Sequence, residues 1–182
     1  MQRSKKLTLT LMLGTAGFAL AGCQDDPETQ ARSYASYEAC VSEGIYTRAA
    51  CGDALDQARA EHQQSAPRYE DRALCEAEFG PGQCESGGGT SFVPFMAGYF
   101  VADVLDDIGD AAKKKRYAKP YYRTSGGDWL TSSGAFLNKN SNGVSLSRSQ
   151  ATAPPKPSTV FTKTTVRSTG GFGASGRSSF GG

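Results

Sequence analysis

The side chains able to do covalent, redox or metal chemistry in this 182-residue chain are few: five cysteines and one histidine. Ten residues separate Cys40 from Cys51 and eight separate Cys75 from Cys84. Neither spacing is the C-x-x-C of a thioredoxin-like redox site, and neither matches common zinc pairs. His62 stands between Glu61, Gln63 and Gln64. It reads as part of the solvated face of a helix rather than as a catalytic base. Enzyme chemistry needs a nucleophile with its base, or carboxylates paired in a pocket, and the chain spells neither. The glycine runs "GGGT" and "GGFG" are not set between a strand and a helix, as a phosphate cradle is, so they report flexibility. The sequence predicts no enzyme, no cofactor and no metal site.

Cys23 is different, because of what precedes it. A cationic start (Arg3, Lys5, Lys6) leads into the fourteen-residue apolar segment Leu7 to Leu20, then Ala21-Gly22-Cys23. A spanning helix needs about 20 residues, whereas a secretory apolar region needs about 7 to 15 behind a positive start. The small residues let a peptidase approach the backbone, and the Cys23 thiol can form a thioether. "LAGC" resembles the bacterial lipobox, in which the cysteine receives a diacylglyceryl group and the peptide is cut before it. Residues 1–22 are therefore expected to be a lipoprotein signal peptide and Cys23 the lipidation site. Several acyl chains on one cysteine would anchor firmly, each buried methylene adding about 0.8 kcal/mol. By resemblance to lipoprotein sorting rules, Gln24 rather than Asp after the cysteine implies the outer membrane. With Cys23 carrying lipid, four cysteines remain in an oxidising compartment, which reads as two disulfides.

The elements that must position these residues are expected to be mainly helical. Residues 23–33 read as the lipidated cysteine and a polar tether. A first helix covers about 34–42 and ends near Gly44. A second begins after Thr47 as N-cap and runs to about Ser65, with Ala50, Ala54, Leu55 and Ala58 on one face. Pro67 closes it. A short third helix over about 71–79 meets a Gly80-Pro81-Gly82 turn that can return Cys84 to Cys75. That turn, and Gly44 between the other two cysteines, favour the local pairs Cys40–Cys51 and Cys75–Cys84. The rival is a cross-stapled helical hairpin, Cys40–Cys84 with Cys51–Cys75.

The apolar run from Phe92 to Ala102 is too short to span a bilayer, and Pro94 suits a first helical turn. A helix over about 93–110 would place Ala97, Val101, Val104, Leu105 and Ile108 on one face and Asp103, Asp106, Asp107 and Asp110 on much of the remainder. It reads as a core helix, since aspartates are the wrong sign for an anionic lipid surface. "KKKR" at 113–116 would then complement its C-terminal dipole. "KPYYRTSGGDWLTSS" reads as a β-hairpin over about 119–133, and the alternation in 158–168 as one more strand. Most of 140–182 is expected to be flexible. The fold class expected is a small, mainly-α, disulfide-stapled domain over 34–139, with a short β-hairpin and a disordered basic Gly/Ser/Thr-rich C-terminal tail.

Charge is divided along the chain. Residues 24–110 hold 17 acidic and 5 basic side chains, and residues 111–182 hold 1 acidic and 12 basic. Such asymmetry points to an interaction tail for an anionic partner, or to the basic half folding back onto the acidic half.

"APRYEDRALCEAEFGPGQC", "FVPFMAGY", and a Pro-Lys-Pro segment ahead of "GGFGASGR" together resemble the YgiB-like proteins of proteobacteria, in the same order along nearly all of the mature chain. Cys40, Cys51, Cys75 and Cys84 match that family's four cysteines. The resemblance implies an envelope lipoprotein carrying a domain of unknown function, with no activity, cofactor or active site to transfer. Family genes are often near an ATP-grasp ligase similar to glutathionylspermidine synthase. The chain departs from the family at "ADVLDDIGD" and "KKKR", where relatives are richer in Met and Gly. The function expected is a structural or interaction protein anchored in the membrane through lipid, with an envelope protein or an anionic envelope polymer as partner. The alternative is an accessory to an envelope or polyamine/glutathione-conjugate enzyme. The Arg, Gly and Phe of the tail superficially resemble RNA-binding segments, but export argues against nucleic acid.

Overall fold

The computed structural model describes residues 26–106 and 113–163. It corrects the expected fold class: the protein is mostly β, with four short-to-medium helices packed on two sheets. Strand β1 (Glu28–Tyr34) is followed by α1 (Tyr37–Glu43), α2 (Arg48–Ser65), β2 (Arg68–Tyr69), α3 (Arg72–Phe79), β3 (Cys84–Ser86) and β4 (Phe92–Pro94). Then come β5 (Gly98–Asp106), β6 (Lys113–Arg123), β7 (Trp129–Thr131), β8 (Asn138–Asn140), β9 (Gly143–Ser147), α4 (Arg148–Thr152) and β10 (Val160–Phe161).

The larger sheet has the order β7-β6-β5-β1-β9-β8 and is antiparallel throughout. It nearly closes on itself. After β7 the chain doubles back, so that Leu130 bridges Phe136, Thr131 N–H donates to Ala135 O and Leu137 N–H donates to Trp129 O. The same run then enters β8, which pairs with β9. Ala31, Phe100, Ala102, Val104, Tyr121, Leu137, Val144 and Leu146 pack into one cluster inside this barrel, with Ala151 of α4 among them. A gap remains along the first half of β6, because β7 pairs only with Tyr121–Arg123. Helix α2 covers it, and the Gln57 side-chain oxygen accepts from the Ala118 backbone N–H that no strand takes. That N–H is thereby satisfied, and the helix covers the edge that would otherwise be a template for another chain.

Of the stretch expected to be a helix over 93–110, the described part, to Asp106, is instead β4, a short connection and β5. Along β5, Phe100, Ala102 and Val104 face the barrel interior while Tyr99 and Val101 face α1 and α2. A strand buried on both faces presents a continuous apolar run, which periodicity alone does not distinguish from a buried helix. Asp103 does not belong to a polar helix face; it lies across from Arg116. "KKKR" is likewise the start of β6, not a helix C-terminus. The expected tether contributes Glu28–Tyr34 as a strand bonded on both edges, between β5 and β9. Within the expected flexible tail, β9 is buried at Val144, Ser145 and Leu146, α4 carries a capping box at Ser147 and Gln150, and β10 pairs with β2. The remainder of that tail, 164–182, lies outside the described residues, as do 107–112.

The helices α1, α2 and α3 begin on the capping oxygens of Ser36, Thr47 and Asp71. The hairpin expected over 119–133 is the β6–β7 pair, turning through residues 124–128. The smaller sheet, order β10-β2-β4-β3, packs with α3 over Tyr122 and Leu130 on the outer side of that hairpin. Two glycines permit close approaches. A Cβ at Gly98 would lie 2.4 Å from Tyr34 O, and one at Gly143 (φ 147°) would lie 2.1 Å from Ala31 O.

Candidate functional site

The four cysteines of the described chain are spent on structure. Cys40 and Cys51 are bonded, joining α1 to α2 with Cα atoms 5.9 Å apart. Cys75 and Cys84 are bonded, joining α3 to β3 at 6.2 Å. All four are buried, the first pair beneath Tyr34, Tyr99 and Val101, the second among Tyr69, Phe79 and Val93. Cys23 and the cleavage segment before it lie outside the described residues.

His62 is not on a solvated face. Its Nδ1 lies 3.0 Å from the Tyr122 hydroxyl, and Tyr122 is fully buried. Burial holds the His62 pKa below its ordinary value, with Arg68 adding to the effect and Glu85 opposing it. Burial, reinforced by the Glu61 charge, pushes the Tyr122 phenol up. At neutral pH the pair is therefore a neutral imidazole against a protonated phenol, a core contact sixty residues apart in sequence.

The neighbouring helix position holds the strongest polar cluster. Glu61 Oε2 accepts from Lys119 Nζ at 2.8 Å, and its Oε1 accepts from Ser132 Oγ at 2.9 Å. Lys119 Nζ also donates to Ala153 O at 2.6 Å. Together with Ser65, Thr131, Gln150 and Lys156 they line a cleft of about 270 Å³. Both carboxylate oxygens have partners, and the ammonium is held by a carboxylate and a carbonyl. That suits the cluster to tying α2, β6, the turn after β7 and the end of α4 together. It offers no free base to activate Ser132.

A second cleft, of about 400 Å³, opens at the barrel rim between α1 and the β8–β9 turn. Its aromatic part is Trp129, stacked on Tyr121 with centroids 4.3 Å apart and planes 8° apart. Lys139 Nζ lies 5.0 Å over the Trp129 ring. On the opposite wall Arg32 Nη1 donates to Glu43 Oε1 at 2.7 Å, and the Tyr34 hydroxyl donates to the other carboxylate oxygen. Asn140 and Asn142 form the turn at its edge. Sequence reasoning missed this cleft. Its walls come from four separated segments, and the only local signal was an aromatic after a Gly-Gly-Asp turn.

The charge division along the sequence is partly closed within the fold. Asp103 takes Lys114 and Arg116 at 3.1 Å each, Glu61 takes Lys119, and Asp71 faces Lys163 at 3.6 Å. Each pair joins an acid of the first half to a base of the second. Among the described residues no group of three or more His, Cys, Asp or Glu converges as a metal site.

No solved structure matches the chain. The chain is 28% identical over 187 residues to a UPF0441 protein of Pectobacterium carotovorum, covering 94% of this chain and 81% of the relative. It is 29% identical over 194 residues to a UPF0441 protein of Klebsiella pneumoniae, covering 94% and 82%. A family described as "Protein of unknown function (DUF1190)" matches residues 28–181. By that match over most of its length, the chain belongs to the DUF1190 family, the YgiB family of UPF0441 proteins.

Proposed function

We propose that this protein is a lipid-anchored protein of the bacterial envelope, held at the outer membrane through Cys23, that acts by binding rather than by catalysis. The observation that carries the reading is "LAGC" behind a fourteen-residue apolar segment with a cationic start. Two buried cystines support it, since such bonds persist in oxidising compartments. The first strand begins at Glu28, five residues past Cys23. An extended chain reaches about 3.5 Å per residue, so the barrel would ride within roughly 20 Å of the bilayer surface. Its partner in this reading is an envelope protein or an anionic envelope polymer, not nucleic acid. Labelling cells with a palmitate analogue tests the anchor. The wild-type chain should take label and fractionate with outer membrane, and Cys23→Ala should remain an unlabelled precursor. Equal labelling of both would overturn the anchor.

A further inference from the structure

We propose that the rim cleft beside Trp129 binds an acidic saccharide. A sugar ring offers an apolar C–H face, a girdle of hydroxyls and, in an acidic sugar, one carboxylate. The cleft supplies a counterpart for each. Trp129 is half-buried, and its stacking on Tyr121 fixes the ring plane at the rim. Packed aromatic pairs of this kind hold their orientation without further cost on binding. Asn142 carries both a donor and an acceptor at the edge, while Asn140 holds the turn in place, donating to Gln30 Oε1 at 2.7 Å and accepting from the Asn142 backbone N–H at 2.9 Å. Arg32 and Glu43 are already locked to one another, so they are pre-positioned to bond neighbouring hydroxyls.

Lys139 sets the sign. Its side chain is exposed, and among the described residues its ammonium pairs with no carboxylate; it rests over the Trp129 ring. An exposed cation–π contact is worth only about 0.5–1 kcal/mol. The lysine can swing off the ring, expose its face to the sugar and meet the carboxylate. Arg32 and Lys139 against Glu43 leave one excess positive charge in the cleft. The inference deepens the envelope reading, since surface polymers there carry such sugars, but it rests on the cleft and not on Cys23.

Trp129 is the chain's single tryptophan, so its emission reports on this cleft alone. The full chain in mild detergent would be titrated with three probes. One is a disaccharide containing N-acetylmuramic acid, one a 3-deoxy-octulosonic acid disaccharide, and one neutral chitobiose. A saturable emission change with either acidic probe is expected, with a Kd on the order of 1 mM or below. Which one responds assigns the source to peptidoglycan or to lipopolysaccharide. Lys139→Ala should weaken it by roughly tenfold, the cost of losing one hydrogen bond to a charged group. Asn142→Ala, also at an exposed position, should weaken it less. Trp129→Ala is avoided because the ring packs on the core. The proposal is overturned if neither acidic probe responds, if chitobiose binds as tightly, or if Lys139→Ala binds like the wild type. Failure of the palmitate experiment would leave it standing, and failure here would leave the anchor standing.

Discussion

The Lys119 ammonium lies 2.8 Å from Glu61 Oε2, and each side chain keeps less than a tenth of its surface exposed. This pair links the helix that covers the open edge of β6 to the strand itself, at the point where barrel closure by β7 stops. A buried pair gains little net stability over an apolar replacement, but breaking it strands a charge. Lys119→Met and Glu61→Leu should each cost about 3–5 kcal/mol. In a chain of this size that lowers Tm by on the order of 10 °C. The double variant should recover much of the loss, because no buried charge is left alone. Urea unfolding of the three proteins decides it. A single variant within about 1 kcal/mol of the wild type would show that water, not Glu61, solvates Lys119.

The two cystines sit in separate clusters, Cys40–Cys51 under β5 and Cys75–Cys84 against the second sheet. Each closes a short loop, with sequence separations of 11 and 9. Loops of that size restrict the unfolded chain by about 3 kcal/mol. Replacing either pair by alanines should cost about that much, and the two costs should add within about 0.5 kcal/mol, since the pairs share no partner. Thiol counting supplies an independent check. Cys40→Ala should show one free thiol, at Cys51, when titrated in denaturant, and leave Cys75–Cys84 linked in non-reducing peptide maps. Scrambled fragments in that variant would contradict the local pairing.

Acid should destabilise the protein in two separate windows. Burial depresses the His62 pKa from 6.5. The unfolded chain then binds the proton first as pH falls. Stability present above about 6.5 is drawn down as pH drops towards the folded value. Burial raises the Asp103 pKa, but the Lys114 hydrogen bond and the Arg116 charge outweigh it and hold it below 3.8. Stability from that carboxylate is present above 3.8 and lost only as pH falls through its folded value. Unfolding free energy measured from pH 7 to pH 3 should therefore begin to fall near the histidine range. In His62→Gln the first decline should vanish while the second remains. An unaltered profile in that variant would place the upper window on another group.

Local chemistry was legible in the sequence wherever it is local in the fold. Thr47 and Asp71 announce helix starts, Gly44 and Gly80 their ends, and Ser125 to Asp128 the turn of a hairpin. Partners distant in sequence were not. β1 reads as a polar tether because its exposed positions carry Glu28 and Gln30 and a half-buried one Arg32, while Ala31 and Tyr34 alone mark burial. Its neighbours β5 and β9 lie some 70 and 115 residues away. In β9 the short "GVSLS" carries only two large aliphatics, yet both fill the barrel. The rim cleft is the extreme case, since Arg32, Glu43, Trp129 and Lys139 share no motif and meet only after the sheet has closed.

The segment after α4 provides the last test. Read as sequence, 151–157 belongs to a flexible low-complexity tail, 158–168 is one more strand, and the folded part survives truncation after Gln150. In the fold the segment runs from Ala153, whose carbonyl accepts from Lys119, to Ser158, whose hydroxyl donates to the Ser65 carbonyl at 2.6 Å. It then pairs β10 with β2, stacks Phe161 on Tyr69 at 5.3 Å, and ends with Lys163 against Asp71. The exposed Lys163–Asp71 pair contributes little; the buried Ala151, the half-buried Phe161 and the part-buried Lys119–Ala153 bond contribute more. Truncation after Gln150 removes the buried Ala151 and the half-buried Phe161 and should therefore lower stability by about 2–3 kcal/mol, below the cost of a fully buried aromatic. Truncation after Lys163 retains every contact named here and should unfold at a higher urea concentration than truncation after Gln150. Comparing the two separates a structural strap from a passive tail. Equal midpoints for the two truncations would mean that 151–163 contributes nothing to the barrel.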